Sequence, residues 1–146
     1  MNVDHILGRK GHQVLSISPL ASVQDAAQML RDHGVGALLV SEPNASINAI
    51  KGILSERDIV QGVAQRGSEC LNAPVSTLMT PDVKYCQRSD TINQVMTEMT
   101  QRRIRHLPVM DENRLVGIIS IGDVVKFRIE EIETEAEAMR EYIAAG

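Results

Sequence analysis

The sequence predicts a mixed α/β (α+β) fold: two pseudo-symmetric β-α-β-β-α units packed into one module. Three observations carry this expectation. Residues 14–40 reappear, displaced by 69 residues, at 83–109. Within that match Val23, Ala26, Ala27 and Leu30 fall on Ile92, Val95, Met96 and Met99, both sets spaced i, i+3, i+4, i+7 as on one face of an amphipathic helix. After a four-residue gap the match resumes, and Gly52-Ile-Leu-Ser-Glu-Arg-Asp-Ile-Val60 aligns with Gly117-Ile-Ile-Ser-Ile-Gly-Asp-Val-Val125, identical at five of nine positions.

The elements follow in order. Each unit opens with a short strand, over 14–17 and over 83–86. Ser22 and Thr91 then begin a helix, with Asp25 and Gln94 three residues on as capping-box partners. An apolar strand comes next, over 37–40 and 107–110. A turn follows, looser over 42–48 and tighter over 111–114, both rich in turn-forming residues. A third strand, over 50–54 and 115–120, runs into a second helix. Even the lead-ins correspond, since Val3-x-x-Ile6-Leu7 matches Val75-x-x-Leu78-Met79.

The chain therefore divides into unit one at 3–68, a linker at 69–82, unit two at 83–130 and a C-terminal helix at 131–146. The linker is expected to hold one short helix starting near Pro74, a residue suited to the first helical turn. In the last helix Ile129, Ile132, Ala136, Met139 and Ile143 form an apolar stripe opposite a Glu-rich face. That stripe packs on the protein's own body or reaches another subunit. Units of this size are marginal alone, so the two are expected to share one structure.

Composition removes several function classes. The 146 residues carry a net charge of −4, which argues against a non-specific nucleic-acid binder. Aromatics make up 2%, Phe127, Tyr85 and Tyr142, too few for base-stacking or carbohydrate platforms. No apolar run approaches a membrane span. The polar start, Met-Asn-Val-Asp-His, does not read as a signal peptide, and Cys70 and Cys86 lack metal or redox spacing. A reduced, cytoplasmic compartment is the expectation, and the Asn44 sequon then counts as chance. The four histidines show no H-x-x-x-H spacing, so no metal is expected. Neither a phosphate-binding glycine loop nor a G-x-S-x-G elbow is present, and nothing supports catalysis.

The repeated unit resembles the CBS domain, and the chain from about residue 3 to 130 resembles a stand-alone tandem pair of them. The motifs that carry the resemblance are Gly-Ile-Leu-Ser-x-x-Asp at 52–58, Gly-Ile-Ile-Ser-x-x-Asp at 117–123, Val35-Gly-Ala-Leu-Leu-Val40, Ile104-Arg-His-Leu-Pro-Val109 and Leu78-Met-Thr-Pro81. The resemblance implies a regulatory module that binds an adenine nucleotide such as AMP, ADP, ATP or NAD, or S-adenosylmethionine. It also implies a homodimer that signals to a separate, unidentified protein.

The same resemblance implies the candidate ligand residues. Asp58 and Asp123 would hold ribose hydroxyls, with Ser55 and Ser120 beside them. A carboxylate only accepts hydrogen bonds, so it suits vicinal hydroxyl donors. Yet Ser-x-x-Asp before an apolar pair is also a capping box, as at Ser22 and Asp25. Because the acidic residue occupies the helix N-terminus, phosphates are expected near cations instead. Arg103, Arg105 and His106 are the candidates, with Arg57 weaker, although a helix C-terminus favours positive charge in any case. Arg102 reads as solvated surface. Gly36 and Ala37 could present backbone groups to an adenine edge or simply form a tight turn. Pro108 lies in the same strand motif as His106. Ile17, Met79, Val83 and Ile118 could sandwich adenine, or be core. The first unit has His33-Gly-Val-Gly36 where the second has arginines, so the two sites are not equivalent. Two other readings stand beside this one: a ligand-free structural dimerisation adapter, and a small hydrolase for which no activated nucleophile is evident.

Overall fold

A computed structural model describes residues 1–42 and 49–145. Most of the turn expected over 42–48, and the Asn44 sequon, lie outside the described residues. The order of elements is α1 (Val3–Lys10), β1 (Ser16–Ile17), α2 (Val23–His33), β2 (Ala37–Ser41), β3 (Ile50–Ser55), α3 (Glu56–Arg66), two 3₁₀ turns (Gly67–Asn72 and Val75–Thr77), β4 (Cys86–Gln87), α4 (Ile92–Arg102), β5 (His106–Asp111), β6 (Arg114–Ser120) and α5 (Ile121–Ala145). There are two three-stranded sheets, ordered β1-β2-β3 and β4-β5-β6.

The residues group into two compact units. The first comprises Gln13–Lys84 with Glu112–Leu115. The second comprises Met1–His12, Tyr85–Asp111 and Val116–Gly146. Sequence segmentation places 3–12 with the first repeat, but in space those residues belong with the second. The reason is visible in the two cores. Val3, Ile6 and Leu7 are fully buried among Ile92, Val95, Met99, Leu107, Ile119 and Phe127. Val75, Leu78 and Met79 pack with Ala26, Leu30, Leu38, Val40 and Leu54. Each lead-in thus completes the core of the repeat that it does not precede. Burying each such aliphatic side chain contributes about 1.5–3 kcal/mol.

Both lead-ins dock by the same hydrogen bonds. The Val3 N–H donates to the Asp90 carbonyl at 2.9 Å, just ahead of the α4 cap Thr91. The Val75 N–H donates to the Ala21 carbonyl at 2.8 Å, just ahead of the α2 cap Ser22. Beyond this the lead-ins diverge. The first continues as α1, whereas the second turns along β3, with Ile53 N–H to Thr80 O at 3.0 Å and Thr80 N–H to Ile53 O at 2.9 Å.

The periodicity expectations for the long elements hold. Val23, Ala26 and Leu30 bury one face of α2, and Ile92, Val95 and Met99 bury one face of α4. Thr91 and Gln94 form the full capping box, while at Ser22 the bond described is the forward one, from the Asp25 N–H to Oγ at 3.0 Å. The opening strands are shorter than expected, two residues each, because only Ser16–Ile17 and Cys86–Gln87 enter the parallel ladders on β2 and β5. Pro74 caps a short 3₁₀ helix, Val75–Thr77, where one short helix is expected, and a further 3₁₀ turn, Gly67–Asn72, precedes it. Gly67, at φ +69°, ends α3 before the first of them. The β5–β6 turn is tight, with Glu112 at φ 48° and Asn113 at φ 65°, the paired positive values that a two-residue hairpin turn requires.

Candidate functional site

In each repeat the third strand ends on a serine that starts the following helix. Ser55 Oγ accepts from the Asp58 N–H at 3.2 Å, and Asp58 Oδ2 accepts from the Ser55 N–H at 2.9 Å and the Ser55 hydroxyl at 3.1 Å. The second repeat reproduces this. Ser120 Oγ accepts from the Asp123 N–H at 3.2 Å, and Asp123 Oδ2 accepts from the Ser120 N–H and hydroxyl at 2.9 and 3.0 Å. The capping-box reading of Ser-x-x-Asp therefore describes both motifs.

One further bond ties each box to the start of the second strand of its unit. The Glu56 N–H donates to Gly36 O at 3.0 Å, and the Ile121 N–H donates to Arg105 O at 2.8 Å. Ala37 pairs with Ser55 in the antiparallel register of β2 and β3. Gly36, Ala37, Ser55 and Asp58 accordingly cluster in the first unit, with Arg57 exposed on the first turn of α3. Arg105, His106, Ser120 and Asp123 cluster in the second. A mainly apolar groove of about 550 Å³ adjoins the first cluster, lined by Leu30, Val35, Gly36, Glu56, Ile59 and Val60 among others.

The second cluster contains a cation that sequence reasoning missed. Lys10, at the end of α1, places its ammonium 2.7 Å from Asp123 Oδ2. Burial pushes the Asp123 carboxyl up, but the hydrogen bonds from Lys10 and Ser120 and the Lys10 charge outweigh it and hold it below its ordinary value of 3.8. Burial pushes His106 down from 6.5 to about 4, helped by Lys10 and Arg105 and opposed by Asp123. At neutral pH His106 is thus an uncharged hydrogen-bonding group, and the cations of this cluster are Lys10 and Arg105. The lead-in match aligns Lys10 with Asp82, which pairs with Lys84 at 3.0 Å. That alignment was the available signal: it places a cation beside Asp123 in the second cluster where the first repeat's counterpart is an acid.

The other candidates are placed on neighbouring elements. Arg103 is the exposed C-cap of α4 at φ 55°, where the first repeat has Gly34 at φ 63°. Pro108 is buried within β5. Ile17 is a core residue of the first unit, and Met79 packs against that core. Val83 is half-buried after the linker, and Ile118 is half-buried on β6. Arg102 pairs with Glu98 one turn back, as solvated helix surface does.

Among the described residues, no group of three or more His, Cys, Asp or Glu is placed to hold a metal. No helix among them is long and apolar enough to cross a membrane. Burial and the neighbouring Asp90 push the Cys86 thiol up to about 12, so it is not an activated nucleophile.

Comparison with known proteins bears on these clusters. The sequence matches the family described as CBS domain twice, over residues 9–65 and 75–130. It is 33% identical over 127 residues to the mitochondrial CBS domain-containing protein CBSX3 of Arabidopsis thaliana, covering 86% of this chain and 61% of that protein. The chain thus spans about three-fifths of the length of that relative. The crystal structure of the CBS-domain containing protein ATU1752 from Agrobacterium tumefaciens superposes with a TM-score of 0.82 at 44% identity, covering 86% of this chain and 92% of that one. The CBS domain pair of protein MJ0100, solved with 5′-methylthioadenosine and S-adenosyl-L-methionine, shares the fold at a TM-score of 0.75 and 22% identity, covering 90% and 98% of the two chains.

Proposed function

Because the chain belongs to the CBS-domain family, we propose that it is a regulatory module that binds an adenosine-containing ligand and reports the ligand's presence to a separate protein. The observation that carries this reading is the cluster of Asp123, Ser120, His106, Arg105 and Lys10 within one unit. Its chemistry suits a nucleotide. Asp123 would accept from ribose hydroxyls, and Ser120 would both cap α5 and meet the sugar. Arg105 and Lys10 would meet phosphate oxygens, with neutral His106 as a hydrogen-bond partner and Arg103 within the same chain segment. Asp58 and Ser55 would hold a ribose in the first unit, with Arg57 as its cation and the Gly36–Ala37 backbone toward adenine. Ile17, Met79, Val83, Pro108 and Ile118 would supply apolar contacts. The MJ0100 pair, solved with two adenosine derivatives, supports the ligand class at the level of the fold.

The preferred ligand is an adenine nucleotide, AMP, ADP, ATP or NAD, bound without a metal and without turnover. The module would act as a homodimer in the cytoplasm, a compartment consistent with two free, buried thiols.

One observation favours the alternative of a ligand-free adapter: the described hydrogen bonds of Asp58 and Asp123 all serve helix capping or the Lys10 ion pair. Thermal unfolding separates the two readings. With AMP, ADP, ATP, NAD, NADH and S-adenosylmethionine each at about 1 mM, a ligand at ~100 times its dissociation constant adds about 2.7 kcal/mol. For a chain of this size that raises Tm by several degrees. Asp123→Ala is expected to remove the rise while lowering the ligand-free stability by only ~1 kcal/mol, the worth of a cap. A flat panel with the wild-type protein would favour the adapter. An undiminished rise with the variant would take Asp123 out of the site.

A further inference from the structure

The C-terminal helix α5 runs for 25 residues, but its buried residues are Val124 and Phe127, both near its start. Along its outer side Val125, Ile129, Ile132, Ala136, Met139 and Ile143 are all exposed, from 42% at Val125 to 69% at Ile143. Their spacing alternates four and three residues throughout. A straight helix repeats every 3.6 residues, so a strict 3.5-residue seam drifts around it unless a partner helix supercoils with it. The stripe is therefore a heptad seam, with Ile129, Ala136 and Ile143 at a positions and Val125, Ile132 and Met139 at d positions.

The flanking charges select the occupant and its direction. The e positions are Lys126, Glu133 and Arg140, and the g positions are Arg128, Glu135 and Tyr142. In a parallel pair a g residue meets the e residue five positions on in the other helix. Arg128 then faces Glu133 of the second copy, and Glu135 faces Arg140, so every charged pair is attractive. In the antiparallel arrangement that brings residue 132 opposite 136, Glu133 faces Glu133, Glu135 faces Glu135 and Lys126 faces Arg140. Every one of those is repulsive. Arg128 also pairs with Glu131 on its own helix, a bond on the far side from the seam that does not consume the whole guanidinium fork.

We propose that α5 docks against α5 of a second copy of this chain as a parallel two-stranded coiled coil, in register through residues 125–143. This goes beyond ligand binding and does not depend on it, because none of the seam residues belongs to the Asp58 or Asp123 clusters. β-branched side chains stand at both a (Ile129, Ile143) and d (Val125, Ile132) positions, a core that does not by itself choose two strands over three, so sedimentation reads the strand number. Fewer than three heptads are marginal for an isolated peptide, and here the seam begins on the part of α5 already held by the folded unit.

The test is cysteine cross-linking with sedimentation analysis of the full chain. In a parallel pair Ala136 meets its own copy, so Ala136→Cys should form a covalent dimer under mild oxidation, while Ala138→Cys, on the outer face, should not. Cys70 and Cys86 are 1% and 4% exposed and do not compete. Glu135→Arg should weaken dimerisation about tenfold, and adding Arg140→Glu should restore it to within about twofold. Ile132→Asp should give a monomer that still unfolds cooperatively, at a midpoint that no longer depends on protein concentration as the wild-type midpoint does. A wild-type monomer or trimer overturns the proposal, as does a dimer indifferent to Ile132→Asp. So does an Ala136→Cys protein that cross-links only when mixed with Ile132→Cys, the antiparallel signature.

Discussion

Gly52→Ala is expected to destabilise the first unit by about 2–3 kcal/mol, the usual cost of forcing a methyl into a packed interior. Gly52 is buried in β3, and a Cβ there would sit 2.7 Å from the Thr80 carbonyl oxygen and 2.8 Å from Met79 Sδ. The first contact decides the magnitude. Thr80 is fixed to Ile53 by two backbone hydrogen bonds, so it cannot withdraw without breaking them. Gly117, the matching residue of the second repeat, offers the comparison. Its added Cβ would lie 2.7 Å from Leu7 Cδ2, the far end of a side chain. Gly117→Ala should therefore cost less, about 1 kcal/mol, through an off-rotamer Leu7. Urea unfolding of both variants, with the lower denaturant midpoint at Gly52→Ala, checks the order. Equal losses would show that backbone proximity is not what makes Gly52 necessary. Neither glycine is needed for its backbone conformation, since the positive-φ glycines are Gly11, Gly34 and Gly67.

The second large effect is a loss of stability on mild acidification. His106 titrates at about 4 in the folded protein against 6.5 in the unfolded chain. Between those values the unfolded state binds the extra proton, so stability falls as pH falls through the window. At a pKa difference of this size the loss at pH 4 reaches about 3 kcal/mol. His106→Gln keeps a hydrogen-bonding side chain without the titration. A plot of urea stability against pH should therefore be flatter for the variant between pH 6.5 and 4. Asp123 adds a separate loss at lower pH, because its carboxyl is held below 3.8 and favours the folded state until it is protonated. Parallel curves for wild type and His106→Gln would remove His106 as the cause.

Much of this architecture was legible from pattern. The apolar face of α2, the boxes at Thr91–Gln94, Ser55–Asp58 and Ser120–Asp123, and the hairpin turn at 111–114 all depend on residues within four positions of one another. Local physics decides such features, and local sequence records it. What was not legible involves distant partners. Lys10 reaches Asp123 across 113 positions, and no short motif encodes that pairing. That Arg103 takes the left-handed helix end that Gly34 takes in the other repeat was likewise not legible, since its charge says nothing of its backbone. His106 read as a cation because of its residue type. Its neutrality comes from burial and from Lys10, both consequences of tertiary structure.

The exchange of lead-ins also has a consequence for synthesis. The first unit draws almost entirely on one contiguous stretch, Gln13–Lys84, and its core segment 75–79 emerges directly after the helices it closes. The second unit has no such advantage. Val3, Ile6 and Leu7 are made a hundred or more residues before their core partners Leu107, Ile119 and Phe127. At ordinary elongation rates of ~5–20 residues per second that is a wait of roughly 5–20 s with an apolar helix face unpaired. Segment 3–7 is thus exposed to misassociation for longer than segment 75–79. Pulse-labelled chains lacking residues 1–12 should fail in the second repeat while the first folds on schedule.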